Sequence, residues 1–215
     1  MVVIDPDKPL PDHTKLDYDE CCAKLILEEL FPTRYDQLAV ADRPDLQGED
    51  VGIEVTTAND PRMQEALNNW VKANYDTDEV KKARHIERMA QLGVRFTGGV
   101  QAWPGHSPTF RWVKNAVETK IRKQKKGNYK NFSKYELFIF ADTWFWEGIV
   151  QQAKDFFFSD VVKPWYQTIY VLSEGTDLHI FETVKREHIY LKIDWAKQSD
   201  RNNRARRMVE EGERD

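Results

Sequence analysis

The clearest pattern of hydrophobic and polar positions lies at residues 51–58, "VGIEVTTA". Apolar branched residues alternate there with glycine, glutamate and threonine, which predicts a strand with one apolar face. The preceding "DQLAVADRPDLQ" predicts a partner strand, with a turn at residues 48–50. A turn centred there pairs Leu46 with Ile53, so that the apolar side chains share one face. The pattern therefore predicts a β-hairpin that carries Glu54 in the middle of its second strand.

The rest of the chain shows apolar residues at helical or alternating spacing, with proline and glycine at the ends of the segments. Helices are predicted at 16–30, at 61–92 in two segments, at 107–126 and at 147–158. Strands are predicted at 135–142, 167–173 and 178–184, and a further hairpin at 94–103. This order predicts an α/β fold, in which a central mixed β-sheet is flanked by helices. We expect one domain over residues 1–200 with a helical insertion at 61–105, and a charged C-terminal tail at 201–215 that is a loose helix or disordered.

Composition limits the class of protein. The chain has 215 residues, of which 40% are hydrophobic, enough for a substantial core. No apolar run is long enough to span a bilayer and the N-terminal "MVVIDPDKPLPDHTK" lacks the layout of a signal peptide, so we expect a cytoplasmic protein without a membrane partner. The adjacent Cys21 and Cys22 exclude a disulfide framework and a thiolate zinc cluster. The five histidines show no metal-binding spacing, and each is expected to be an ordinary surface or hydrogen-bonded residue.

The charge is unevenly distributed. The net charge of −4 argues against a protein that coats a polyanion along its whole surface. Residues 114–134, in contrast, contain eight lysines and arginines and a single acid, Glu118. This segment predicts a local basic face, which is typical of contacts with a nucleic-acid backbone and also of an ordinary solvated helix surface.

Two acids of the predicted hairpin raise a question of charge. The register that pairs Leu46 with Ile53 also places Asp45 opposite Glu54, where two like charges repel. A divalent cation between them removes the conflict, and Mg²⁺ is typically held by one or two carboxylates. Glu20, which lies in the apolar row of the first helix, could point toward the same place. In the alternative interpretation Asp45 is a turn residue and Glu54 is solvated, and a shift of one residue in register separates the pair.

A helix with an acid, then Pro44-Asp45 and then Glu54-Val55-Thr56 resembles the motif of the PD-(D/E)xK nuclease superfamily, also called restriction-endonuclease-like. The resemblance covers roughly residues 16–57 and 107–142. It implies a restriction-endonuclease-like core and a metal-dependent nuclease, with DNA as the expected substrate. It also implies that Mg²⁺ or Mn²⁺ is held by Asp45, Glu54 and the carbonyl oxygen of Val55, with Glu20 completing the site.

The sequence departs from this motif at Thr56, where the family has a lysine. Some members of the family supply the amine from the next core helix, and the resemblance then points to Lys120 or Lys123 as the catalytic cation. The remaining basic residues of that helix are expected to contact the nucleic-acid backbone; they are Lys114, Arg122, Lys125 and Lys126.

Two other functions stay open at this stage. The missing motif lysine is compatible with a catalytically inactive module that binds nucleic acid on the same fold. The acidic total and the tryptophans are compatible with a protein-interaction module. The oligomeric state is open as well, with a homodimer as one possibility.

Overall fold

The computed structural model describes residues 10, 14–97, 100–102, 109–127 and 129–212. The helices of this part of the chain are α1 (Tyr18–Leu30), α2 (Pro61–Tyr75), α3 (Glu79–Gln91), α4 (Arg111–Lys125), α5 (Glu147–Phe157) and α6 (Gln198–Gly212), with a short 3₁₀ helix at Trp195–Lys197. Its strands are β1 (Ala39–Val40), β2 (Leu46–Gln47), β3 (Val51–Ala58), β4 (Arg95–Thr97), β5 (Val100–Ala102), β6 (Lys134–Ala141), β7 (Thr168–Ser173), β8 (Asp177–Glu182) and β9 (Glu187–Lys192).

The fold is a mixed α/β fold around one seven-stranded sheet, in agreement with the predicted class. The strand order is β1-β2-β3-β6-β7-β8-β9, and β4 and β5 pair separately with each other. Strands β3, β6 and β7 are parallel neighbours, whereas the other pairs of the sheet are antiparallel. The chain between β3 and β6 contains α2, α3 and α4, and α5 connects β6 to β7. Parallel strands require such long crossover connections.

Both faces of the sheet are covered by helices, which explains the continuous apolar sequence of β6. Leu137 and Ile139 belong to a hydrophobic cluster with residues of α4 and α5, whereas Phe138 belongs to a cluster with residues of α1. Neighbouring residues of a strand point to opposite faces, so α1 lies on one side of the sheet and α4 and α5 lie on the other. A central strand buried on both sides needs apolar residues at every position.

Helix α1 is buried on two sides. Ala23 and Leu27 pack toward the sheet, whereas Cys21, Cys22 and Leu25 pack against α6. The side chain of Asp17 caps the start of the helix by accepting hydrogen bonds from the backbone N–H groups of the next turn. The prediction of a loose or disordered tail at 201–215 was therefore wrong for the described residues 201–212. They belong to α6, and Ala205 and Val209 of this charged segment are fully buried against α1.

The predicted register of the hairpin is confirmed, but the prediction of one continuous first strand was wrong. Leu46 pairs with Ile53, as the sequence predicts, and β3 covers the predicted second strand. The segment predicted as a single first strand instead forms β1 and β2, which pair with each other across a turn that contains a cis Arg43–Pro44 peptide bond. The proline and the adjacent left-handed Arg43 turn the chain back at a point where the apolar pattern alone favours a continuous strand.

Two further points concern the unpredicted strand β9 and the predicted insertion at 61–105. Strand β9 was not predicted, because its sequence "EHIYLK" carries charged residues at both ends and forms the edge of the sheet. The insertion at 61–105 contains the helices α2 and α3 and the small β4–β5 hairpin, while the turn predicted at Gly98-Gly99 lies outside the described residues.

Candidate active site

The carboxylates of Asp45 and Glu54 share one ammonium group, that of Lys120. The Lys120 Nζ atom donates hydrogen bonds to Asp45 Oδ2 at 2.8 Å and to Glu54 Oε2 at 2.6 Å. Glu54 lies in the middle of β3 with 1% of its surface exposed, Asp45 immediately precedes β2, and Lys120 comes from α4. The two acids are therefore neighbours, as the hairpin register predicts, and a lysine from a distant helix relieves their repulsion.

The backbone around Gly52 allows Asp45 to approach β3. A Cβ atom added at Gly52 would lie 2.5 Å from Pro44 Cγ and 2.8 Å from Phe132 Cδ2, both too close for any larger residue. The backbone N–H of Val55 donates a hydrogen bond of 2.7 Å to Asp45 Oδ2 and fixes the orientation of that carboxylate. The glycine and this hydrogen bond together hold Asp45 against the strand that carries Glu54.

Burial changes the pKa values of the side chains in this cluster. Burial raises the pKa of Glu54, and the Lys120 charge opposes this shift only in part. Burial by itself lowers the pKa of Lys120, but the charges of Glu54 and Asp45 outweigh it and the pKa is raised, so the ammonium form is retained. Glu54 Oε1 is buried and has no hydrogen-bond partner at bonding distance in the described ranges, while the Tyr129 hydroxyl is close enough to Glu54 to lower its pKa. A ligand at this oxygen would therefore lie beside Tyr129.

Glu20 is a third acid of the same cluster, although it comes from α1. Burial, followed by the charges of Asp45 and Asp17, raises the pKa of Glu20 to about 8, and Glu54 contributes in the same direction. The charges of Asp45 and Glu54 therefore act on Glu20, although no hydrogen bond joins its side chain to either acid within the described ranges. A carboxyl group with this pKa changes its protonation near neutral pH.

The other residues predicted for the site lie outside this cluster. Lys123 is exposed and contacts neither acid. The predicted backbone-contacting residues are exposed along α4: Lys114, Arg122, Lys125 and Lys126. The structure therefore brings together Glu20, Asp45, Glu54, Val55 and Lys120, and it separates Lys123 from them.

Two tyrosines beside Glu54 were not predicted for the site from the sequence. Burial and the Glu54 carboxylate raise the pKa of Tyr129 to about 12. Burial and the charges of Glu54 and its neighbours raise the pKa of Tyr166, whose hydroxyl is buried without a hydrogen-bond partner among the described residues. Gln124, one helical turn after Lys120 on α4, also has an unpartnered buried oxygen. Gln124 could have been predicted for the site, because residues four apart in a helix lie on the same side as each other. No local pattern of the sequence places Tyr166 near Glu54.

A second buried acid, Glu136 on β6, has a separate set of partners. Its carboxylate accepts a hydrogen bond of 2.5 Å from the Tyr35 hydroxyl and forms an ion pair with Arg34. Arg34 also donates to Thr168 Oγ1 at 3.0 Å. Glu136 faces the α1 side of the sheet, because its neighbour Leu137 faces α4, and it is thus structurally distinct from the Asp45–Glu54 pair.

The donor set of the cluster fits a divalent cation of the Mg²⁺ type. Within the described part of the chain, no group of three histidine, cysteine or acidic side chains is arranged to hold a metal ion. Two carboxylates are nevertheless sufficient for Mg²⁺, which keeps several water ligands. The unpartnered Glu54 Oε1 and the excess of three acids over one lysine are the features that favour such an ion.

Comparison of the chain with models of known protein families, with curated proteins and with solved structures finds no match. Among the described residues, no helix is long and apolar enough to cross a membrane.

Proposed function

We propose that this protein is a metal-dependent nuclease that hydrolyses phosphodiester bonds of nucleic acid, with DNA as the expected substrate. The observation that carries the proposal is the Lys120 ammonium held between the buried Glu54 and Asp45. A structural ion pair needs one acid for one lysine. Here a single lysine contacts two acids, and the charges of both also act on Glu20, so the excess of negative charge is suited to a bound cation.

The acids of the cluster would bind the metal ion. Asp45 and Glu54 would hold Mg²⁺ or Mn²⁺ together with the Val55 carbonyl oxygen, and Glu20 would complete the site directly or through water. The bound ion would polarise the phosphate group and lower the pKa of a water molecule. Glu54 can offer its unpartnered Oε1 without giving up the hydrogen bond from Lys120 to Oε2.

Lys120 would act on the phosphate group. Its ammonium retains its proton because the neighbouring acids raise its pKa, so Nζ can donate a hydrogen bond to a phosphate oxygen on which negative charge develops. Glu20, with a pKa of about 8, exchanges a proton near neutral pH and can release it when a cation enters the site.

The exposed basic residues of α4 support nucleic acid as the substrate. They are spread over the solvent-facing surface of the helix and at its C-terminal end: Lys114, Arg122, Lys123, Lys125 and Lys126. Exposed ammonium and guanidinium groups neutralise backbone phosphates without reading the bases. The proposal therefore predicts binding that depends on salt and little on sequence.

The decisive experiment is a cleavage assay with Mg²⁺ or Mn²⁺ on single- and double-stranded DNA and RNA. We expect metal-dependent cleavage that Asp45→Asn or Glu54→Gln lowers by a factor on the order of 10³, since each removes a ligand of the ion. Nucleic-acid binding without cleavage under all these conditions would replace the proposal with a catalytically inactive binding module. Absence of both binding and cleavage would favour a protein-interaction module instead.

A further inference from the structure

A second polar pocket lies at the other end of the sheet, over β8 and β9. Its volume is about 420 Å³, within the usual range for small-molecule sites, and its lining residues are Trp144, Phe145, Asp177, His179, His188, Tyr190 and Lys192. In the strand order, β8 is separated from β3 by β6 and β7. The pocket is therefore distinct from the cluster of Asp45, Glu54 and Lys120.

Two histidines form one wall of this pocket and are hydrogen-bonded to each other. His179 Nδ1 lies 3.1 Å from His188 Nε2, while the ring centroids are 5.3 Å apart and the ring planes differ by 6°. The distance between the two nitrogens is shorter than the distance between the ring centroids. The two nitrogens therefore lie between the rings, close to the line that joins the centroids. The rings thus meet edge to edge in nearly one plane, and their facing nitrogens share one proton.

The pKa values of both histidines are lowered, which favours the neutral imidazole form of each. Burial and the proximity of His188 lower the pKa of His179 to about 4. Burial and the nearby Lys154 of α5 lower the pKa of His188 as well. When two neutral imidazoles share one N–H···N bond, their two outer nitrogens present one N–H donor and one lone-pair acceptor. Neither outer nitrogen is hydrogen-bonded to another residue in the described ranges, so both remain available to a ligand.

Aromatic rings border the same pocket. Trp144 is 58% exposed and Tyr190 is 49% exposed, whereas Phe145 is buried and packs on the His179 ring with centroids 4.9 Å apart. The Tyr190 hydroxyl donates a hydrogen bond of 2.5 Å to Asp177 Oδ1, which fixes the orientation of the tyrosine ring. Large exposed rings held in place beside polar groups are suited to stack on a flat heterocycle.

Lys192, the one lysine of the lining, can contact an anionic group next to that heterocycle. Lys154 lies close enough to influence His188. The one acid of the lining, Asp177, accepts the hydrogen bond from Tyr190 and lies opposite Lys192 in the β8–β9 ladder, so its charge offsets part of the Lys192 charge. A suitable ligand has a flat ring to stack on Trp144 or Tyr190, an edge that donates and accepts hydrogen bonds with the histidine pair, and a phosphate group for Lys192.

We propose that this pocket binds a nucleotide, with the base against Trp144 and Tyr190, the edge of the base on the His179–His188 pair and the phosphate near Lys192. The proposal goes beyond the nuclease function and does not depend on it. The nucleotide is either a free mononucleotide or one unit of a nucleic-acid strand, since both offer the same chemistry.

Titration calorimetry on the intact protein without divalent cations tests this site separately from cleavage. The ligands are the four ribomononucleotides, a short single-stranded oligonucleotide and inorganic phosphate. Trp144→Ala should weaken binding at least fivefold, at the lower end of what loss of one stacked base costs, while Trp195→Ala should leave it unchanged. Trp195 is the matched control because it is 67% exposed and lies outside the pocket lining.

Two further variants separate the parts of the site. His188→Phe keeps an aromatic ring against Phe181, whose ring centroid lies 4.7 Å away, but it removes the nitrogens and should abolish discrimination among the four bases. Lys192→Ala should weaken binding in a salt-dependent manner, whereas Lys185→Ala, an exposed lysine outside the lining, should not. Thermal melts of each variant show whether the fold is retained.

The outcomes are distinguishable. Binding of mononucleotides indicates a free nucleotide as the ligand, and binding of the oligonucleotide alone indicates a unit of a strand; both support the proposal if Trp144→Ala weakens them. Inorganic phosphate that binds as tightly as the nucleotides would overturn it, because the pocket would then be a simple anion site. Absence of binding by every ligand, or binding unaffected by Trp144→Ala, would overturn it as well. None of these results depends on whether the protein cleaves nucleic acid.

Discussion

Lys120 and Glu54 are 66 residues apart in the sequence, yet Lys120 Nζ lies 2.6 Å from Glu54 Oε2. Thr56, at the position where the resembling nucleases carry lysine, lies two residues after Glu54 on β3 and points to the same face of the sheet. Helix α4 covers that face, so Lys120 approaches Glu54 from the side of the sheet on which Thr56 lies.

The first prediction compares Lys120 with Lys123, two of the lysines of α4. Lys120→Ala should lower the rate of cleavage by a factor of about 10² to 10³, comparable to the loss of one preorganised donor, because Lys120 alone reaches Asp45 and Glu54. Lys123→Ala should change mainly the salt dependence of binding, because Lys123 is exposed. Single-turnover cleavage rates measured at two salt concentrations distinguish the two effects. Equal rates for both variants would show that Lys120 has no part in the reaction.

The second prediction concerns the pH dependence of stability that Glu20 confers. Its pKa in the folded protein, about 8, is above its ordinary value of 4.5, so the unfolded chain loses this proton at lower pH than the folded protein does. The contribution of Glu20 is therefore fully present below pH 4.5 and is lost as the pH rises to about 8. Glu20→Gln should make the metal-free protein more stable than the wild type at pH 8 by about 1 kcal/mol, after allowance for its partial exposure. Urea unfolding at pH 5 and pH 8 measures the difference, which should vanish at the lower pH.

The third prediction concerns the effect of metal ions on stability. Mg²⁺ or Mn²⁺ should raise the Tm of the wild type, because an ion that binds only the folded form stabilises it. The shift should be larger at pH 8 than at pH 6, because protons compete for carboxylates whose pKa values are raised. The double variant Asp45→Asn, Glu54→Gln should fold and show no shift. A Tm of the wild type that does not respond to either ion would contradict a divalent site.

The fourth prediction tests the close approach at Gly52. Gly52→Ala places a methyl group where Pro44 and Phe132 now lie, so the Pro44-Asp45 segment must move away from β3. We expect a loss of about 1–3 kcal/mol in the free energy of unfolding, as for other overpacked sites. We also expect a fall in cleavage rate larger than the loss of folded protein explains. Gly127→Ala is the comparison for backbone strain without overpacking: its φ of +87° disfavours alanine, but the space around it is open, so the variant should lose stability while its cleavage rate per folded molecule is unchanged.

The fifth prediction separates the buried Glu136 network from the proposed active site. Arg34→Met removes the ionic partner of the fully buried Glu136 and should destabilise the protein by about 3 kcal/mol. Arg88→Met removes an ion pair with Glu65 in which both side chains are exposed, and it should leave the free energy of unfolding nearly unchanged. Denaturant unfolding measures both variants. The cleavage rate per folded molecule should be unchanged in each, because neither arginine contacts the Asp45–Glu54 cluster.

The sequence by itself determined the elements with strong local patterns. The alternation in β3 and its register with β2 follow from residues 46–53, where a shift by one position would turn the apolar side chains to the wrong face. Helical spacing located α1, α2, α3, α4 and α5 to within a few residues at each end, apart from the start of α4, where residues 103–108 are not described. The same register placed Asp45 opposite Glu54, so the two acids of the candidate site could be predicted as neighbours.

Only the tertiary structure decided which distant residues join them. The choice between Lys120 and Lys123 depends on the rotation of α4 about its axis, which is set by the burial of Val113, Val117 and Ile121 against the sheet. The division of the first predicted strand into β1 and β2, the unpredicted β9 and the packing of α6 on α1 also depend on contacts between segments far apart in the chain. The pairing of His179 with His188 requires the β8–β9 register, and no local pattern carries that information. Local sequence specifies periodicity and turns, whereas the partners of a buried charge are set by the packing of elements that the local pattern does not encode.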